Sequence, residues 1–436
     1  MRTLIFNATV IDGTGAPLRE RASVLIEDHL ITEVLDAYAP YYDVADQVID
    51  ARGGFLLPGV INHHVHGLTR GPLMIVGEPP LSDARVAANL DRLLAQGVTT
   101  ALNVDGFATT EDAVAASKAQ PITVKVATLH TPTHLSWAES GPFPFGGVGP
   151  QHRWTVDEML ERGAPAIGEA GPGVDTHWSD YTLLPDAVAS RGGRADADQG
   201  RALRVAAEAA DRPGVVAALE AVGLGAADAD WFDGVFERTR EWHGMARQAM
   251  EEAVDAARTR EAPLVLHHTP GSYDVVLEAA KVLGDRVIAG HSNFQTDDPD
   301  EAAERARALR EHGAWIDIMS GDAFSAQRFH PTPAVTFRLL RDGLVDLVST
   351  DYAGGFWDPM LYMLERAHEA GVVSLPDAVR MVTSAPAAAI PKLAPLRGRV
   401  EPGLVADLVV TEPGRLSAIR AVLVSGRIVG PATGRW

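Results

Sequence analysis

The spacing of apolar positions divides the chain into two kinds of segment. Residues 1 to about 55 carry short apolar runs, Thr3 to Val10, Ala22 to Glu27, Leu30 to Leu35 and Val48 to Ile49, separated by turn clusters such as Asp12-Gly13-Thr14-Gly15. This alternation predicts strands and hairpins. The C-terminal end returns to the same pattern: Ala406 to Thr411 and Ala418 to Val424 read as strands, and Val424-Ser425-Gly426-Arg427-Ile428-Val429 as a hairpin tip. Neither end is long enough to bury a core alone, so 1–56 and 396–436 are expected to pair into one small β domain, a β-sandwich. Between them, 57–395 alternates apolar strands with helical periodicity. Predicted strands end at His66, near Asn103, at His130, Glu169, His268 and His291, near Met319, and at Asp351. Helical patterns cover Ala84 to Ala95, Ala246 to Thr259, Ser272 to Leu283, Asp300 to Glu311 and Ala334 to Arg341. Repeated βα units with eight strands predict an α/β fold, a (β/α)8 TIM barrel. One stretch, about 172–242, exceeds what a crossover needs. It is rich in Gly, Ala and Asp, with a helical pattern from Asp198 to Ala210, a break at Pro213-Gly214 and an apolar run from Val215 to Val222. It reads as a surface excursion or as a lid.

Composition narrows the chemistry. The 436 residues carry 38 basic and 58 acidic side chains, a formal net charge of −20, which repels phosphate backbones and anionic membrane surfaces. No nucleic-acid or membrane partner is expected; a small-molecule substrate is. No run of about 18 apolar residues occurs, and the N-terminus enters a strand pattern without a signal-type block, so a cytoplasmic protein is expected. The absence of cysteine leaves histidine and carboxylate as the available strong metal ligands.

The candidate chemistry starts at His64 and His66, which end an apolar run. Residues two apart on a strand face one side, so both imidazoles can aim at one metal ion. A solvated His-rich strand end is the ordinary alternative. Other predicted strand ends also carry metal-capable groups: Glu169, the pair His267-His268, His291 and Asp351. In a barrel of this kind such residues converge at the C-terminal mouth.

Pro58-Gly59-Val60-Ile61-Asn62-His63-His64-Val65-His66 resembles the first-strand motif of the amidohydrolase superfamily, with Asn62 in place of the family's Asp. The resemblance extends to Gly97-Val98-Thr99-Thr100, to Ser374 through Ala387, and to Gly398 through Val410, leaving mainly the 172–242 insertion outside it. It implies two divalent metal ions: His64 and His66 on the more buried one, His268 and His291 on the more exposed one, Glu169 bridging in place of the carboxylated lysine of many relatives, and Asp351 as ligand and general base. Asn62 would support the histidines. Family sequences follow the fifth-strand ligand with a small residue and a glycine-rich turn, which favours His268, before Thr269-Pro270-Gly271, over His267. Zinc is expected, with iron or manganese compatible.

The resemblance implies hydrolysis of a carbon–nitrogen bond, foremost the ring opening of a cyclic amide, imide or lactam by hydroxide generated at the metals, in the manner of hydantoinase-, dihydroorotase- and enamidase-like members. The alternatives are a heterocycle deaminase, a lactonase or phosphotriesterase, a linear N-acyl amide hydrolase, and a non-catalytic scaffold. Deaminases usually place a glutamate three residues beyond the fifth-strand histidine, whereas Gly271 stands there. His130 and His134, after the third strand, are candidates for polarising the substrate carbonyl, His130 as a catalytic residue. Asn103, Asp105, Gln327, Arg328 and Trp357 lie in loops expected at the mouth, with substrate contacts assigned to His134, Asn103, Gln327 and Arg328. A homo-oligomer is expected.

Overall fold

Eight short parallel strands carry the candidate site: β1 (Val60–Val65), β2 (Val98–Asn103), β3 (Thr123–Val126), β4 (Ile167–Ala170), β5 (Leu264–His267), β6 (Val287–Gly290), β7 (Trp315–Met319) and β8 (Leu347–Ser349). The computed structural model describes residues 1–36, 43, 45–71, 80–140, 152–174, 179–294, 296, 298–321, 324, 332–351 and 358–430. β1 to β3 pair in sequence order as one parallel sheet, and β4 to β8 as another. Isolated parallel bridges link the two at both edges, Val65 with Asp351 and Thr128 with Ile167.

Apart from β3, where half-buried Thr123 and Lys125 alternate with buried Val124 and Val126, these strands are largely buried on both faces and read as mainly apolar runs rather than alternating ones. One face gathers Ile61, Leu102, Ala166, Val265, Ile288 and Leu347 into a single cluster, which Ala385, Ile390 and Leu393 also join. The opposite face packs Val98, Leu264, Leu266, Val287 and Ile316 against helices. The helices form where the periodicity places them. In Asp83–Ala95 the residues Val86, Leu90, Leu93 and Leu94 make the buried stripe, and Ser82 caps the first turn by accepting from the Arg85 N–H. Tyr273–Leu283 buries Val275, Val276, Ala279, Ala280 and Leu283 in the same way. Each such leucine or valine contributes about 1.5–3 kcal/mol by leaving water.

The two ends of the chain do share one sheet. Arg2–Val10, Arg19–Glu27, Leu30–Leu35, Gln47–Asp50 and Phe55–Pro58 join Leu408–Thr411, Ile419–Val424 and Arg427–Gly430 in eight strands. The seam is the antiparallel pairing of Phe55–Pro58 with Leu408–Thr411, and Leu56, Leu408 and Val410 belong to this sheet's own apolar cluster.

The segment expected as an excursion is helical: Leu184–Ser190, Ala197–Glu208, Arg212–Ala221 and the first turns of Ala229–Arg260. Leu184, Val188, Leu203, Val215, Leu219 and Phe232 form a separate apolar cluster there. Pro213 lies in the first turn of its helix, where its missing N–H costs no hydrogen bond, with Asp211 accepting from the Gly214 N–H. Buried Asp180 anchors the unit through Arg204, with contacts of 2.7 and 3.0 Å. Ala229–Arg260 is continuous over 32 residues, so Phe232 sits in the insertion's cluster while Ala246, Met250 and Ala253 sit in the main core. Among the described residues no helix is long and apolar enough to cross a membrane.

Candidate metal centre

The C-terminal ends of five parallel strands bring six side chains into two adjoining groups. His64, His66, Glu169 and Asp351 form one; Glu169, His267 and His291 form the other. Glu169 belongs to both. Its Oε2 lies 3.4 Å from His64 Nε2 and 3.3 Å from His66 Nε2, while its Oε1 lies 2.8 Å from His267 Nδ1 and 2.9 Å from His291 Nε2. Asp351 Oδ1 completes the first group at 3.5 Å from both imidazole nitrogens of the β1 pair.

Backbone geometry explains the convergence. The Asp351 N–H donates to the His64 carbonyl at 3.0 Å and the His66 N–H donates to the Asp351 carbonyl at 3.1 Å, locking the residue after β8 to the end of β1. His291 and Asp351 both adopt left-handed backbone conformations, with φ of 38° and 59°, costly for such side chains and concentrated where a site imposes them. Gly290 is required by close approach: a Cβ there would lie 3.0 Å from His64 Cε1 and 3.1 Å from the Leu266 carbonyl oxygen.

The fifth-strand histidine in the group is His267, not His268 as expected. Side chains alternate along a strand, so His267 shares the face of Val265, which packs with Ile61 and Ile288, whereas His268 falls on the other side. There His268 stacks on Tyr273 at 5.8 Å and pairs through Nδ1 with Ser292 Oγ at 2.9 Å. Burial and the neighbouring cations push its pKa down to about 3. Asn62 also departs from its expected place. Its amide donates to Thr350 Oγ1 at 2.6 Å and accepts from the Thr350 N–H at 3.3 Å, tying β1 to the end of β8 rather than holding a histidine.

Two buried aspartates stand behind the groups. Asp105 Oδ1 lies 2.9 Å from His66 Nδ1. Asp317, in β7, lies 3.2 Å from His63 Nε2 and 3.8 Å from His64 Nδ1, and accepts from the His291 N–H and Ser349 Oγ at 3.0 Å each. Sequence reasoning passed over Asp317, although a lone carboxylate within Trp315-Ile316-Asp317-Ile318-Met319 is a visible signal. Burial would raise the Glu169 pKa, but His64, His267 and His291 outweigh it and hold the carboxyl well below its usual range. Burial likewise opposes protonation of His66, yet Asp105 and Glu169 raise its pKa to about 10.

Neither donor group includes His130 or His134. His130 pairs through Nδ1 with Thr128 Oγ1 at 2.9 Å and sets its ring edge-on to Phe107, and burial lowers its pKa to about 4. His134 pairs with Thr131 Oγ1 at 2.8 Å, and burial lowers its pKa to about 3. Asn103 accepts from the Leu68 N–H at 3.1 Å and faces Thr69 Oγ1 at 3.5 Å, so its amide is occupied with the chain after β1. Gln327, Arg328 and Trp357 lie outside the described residues.

Parallel strands whose C-terminal ends converge on histidines and carboxylates form a site with the donors for divalent metal ions. The chain belongs to the amidohydrolase family, whose model matches residues 55–431, and it is an enzyme that hydrolyses carbon–nitrogen bonds. It is similar to a dihydroorotase of Syntrophotalea carbinolica, 27% identical over 428 residues, which cover 95% of this chain and 90% of that one. The fold is shared with β-aspartyl dipeptidase of Fervidobacterium islandicum AW-1, at 16% identity and a TM-score of 0.57 over 98% of this chain and 96% of the other. It is shared equally with the ochratoxinase of A. niger, at 15% identity and a TM-score of 0.58 over 99% and 96%.

Proposed function

We propose that the eight parallel strands close as a (β/α)8 barrel beside a terminal β-sandwich, that its mouth holds two divalent ions, and that the enzyme opens a cyclic amide, imide or lactam by hydrolysis. One observation carries the two-metal reading: the two oxygens of a single buried carboxylate, Glu169, divide between two donor groups. The donors fit cations. His64 Nε2 and His66 Nε2 are buried without a hydrogen-bond partner among the described residues, although both sit beside carboxylate oxygens. Nitrogen and oxygen donors without sulfur suit zinc, and also iron or manganese. His64, His66 and Asp351 would hold one ion, His267 and His291 the other, and Glu169 both.

When bound, such ions acidify water and polarise a carbonyl. The remaining chemistry belongs to the chain. Asp351, with its side chain 17% exposed, is the carboxylate of the first group that still reaches solvent. It serves as general base toward the attacking water and returns the proton to the leaving nitrogen. His130, kept neutral by burial, donates Nε2–H to the substrate carbonyl oxygen while its Nδ1 accepts from Thr128 Oγ1. Ring opening is favoured over deamination because the residue three beyond His267 is Pro270, and three beyond His268 is Gly271, so neither register supplies the glutamate of the deaminases. The whole-length similarity to a dihydroorotase supports the cyclic amide class.

Mass spectrometry of products from a panel of cyclic amides, imides and lactams tests this. The expected product is one molecule heavier by one water, without free ammonia. Ammonia equal to substrate consumed, with the ring intact, would establish the deaminase instead; turnover of linear amides alone would move the assignment to the acyl amide hydrolases.

A further inference from the structure

We infer that Asp105 is a positioning residue that fixes the tautomer and aim of His66, and so sets the affinity of the ion held by His64, His66 and Asp351. The inference rests on the two-ion reading above and adds a residue outside its donor set. Asp105 accepts the Gly67 N–H on both oxygens, at 3.3 and 3.0 Å, and places Oδ1 2.9 Å from His66 Nδ1. An ionised carboxylate can only accept from the imidazole, so when an ion takes the place of the Nε2 proton the remaining proton of His66 sits on Nδ1 and the Nε2 lone pair is left on the side of Glu169 and Asp351. The opposite tautomer would turn an N–H toward the ion and remove the ligand.

The surroundings make the arrangement rigid. Asp105 is 1% exposed, and the turn after His66 is pinned from three sides: Asp105 on the Gly67 N–H, Asn89 Nδ2 on the Gly67 carbonyl at 2.8 Å, and Asn103 on the Leu68 N–H. Among the described residues His64 has no equivalent. The carboxylate behind it, Asp317, stands 3.8 Å from its Nδ1, beyond hydrogen-bond reach. The two histidines of the β1 pair are therefore backed unequally, and His66 is the one whose orientation is set by a charge-assisted bond.

The test compares wild type, D105N, D105E and N89A, each stripped and reloaded with Zn²⁺ alone, by chelator competition and by the visible spectrum after Co²⁺ loading. D105N is expected to bind the ion held by His64, His66 and Asp351 about 10- to 100-fold less tightly, with an altered Co²⁺ spectrum and an unchanged far-UV dichroism. D105E should recover part of the affinity, because the carboxylate persists. N89A removes a tether of the same turn but leaves the carboxylate, and should bind both ions as the wild type does. D105N matching the wild type in both readouts, or N89A losing as much as D105N, would overturn the assignment while leaving the two-ion centre standing. A wild-type chain that takes up no metal would overturn the centre and this inference with it.

Discussion

His267 and His268 are adjacent in sequence and opposite in environment, and that contrast yields the sharpest tests at the scale of single residues. His267→Asn should remove a donor from the Glu169 and His291 group and lower metal content, whereas His268→Asn should leave metal content near wild type and cost stability through the lost ring packing on Tyr273. Metal analysis of the two proteins side by side checks this, and the reverse order would restore the register read from the sequence. Asp351→Asn should keep the fold and cut turnover by roughly 10² or more, since proton transfer contributes about 10² to 10⁴; steady-state kinetics with the ring-opening substrate decides it. The donor residues His64, His66, Glu169, His291 and Asp351 were legible because each ends an apolar run. The choice within His267-His268 was not, since Leu264, Val265 and Leu266 are all apolar and a strand buried on both faces has no alternation to count. The pairing of Asp105 with His66 spans 39 positions and needs β2 beside β1 before it can be seen.

At the scale of elements, the βα punctuation was readable because turns and helix caps are local signals. Helical patterns such as Asp300 to Glu311 became Pro299–Glu311, started by Asp298, which accepts from the Asp300 and Glu301 N–H groups. The insertion was harder to read. Its polar, small-residue composition resembles a solvated loop, yet four helical segments share a core that only their mutual packing creates. The unbroken Ala229–Arg260 helix runs from that core to the main one. Phe232, fully buried in the insertion's cluster, supplies a test: Phe232→Ala should cost about 3–5 kcal/mol locally. Amide exchange should speed up across 184–235 while β5 and β6 remain protected. Loss of protection in both places at once would show that the insertion and the strands unfold as one unit.

For the whole molecule, burial of neutral histidines couples stability to pH. His134 is held at about 3 against about 6.5 in an unfolded chain, so the unfolded state binds more protons between those values. The stabilising contribution is complete above about pH 6.5 and is lost as pH falls through the folded value. Denaturant titrations from pH 7 to pH 4 should show a shallower decline for His134→Asn than for wild type, and parallel curves would contradict the assignment. The two-ion centre depends on Glu169 serving two cations. Elemental analysis of gel-filtered wild-type protein beside Glu169→Gln addresses it most directly, because a neutral amide cannot balance two ions. Wild type should carry about two divalent ions per chain without any need for bicarbonate, and Glu169→Gln about one or fewer. A wild-type value near zero, or a Glu169→Gln protein that still holds two, would contradict it.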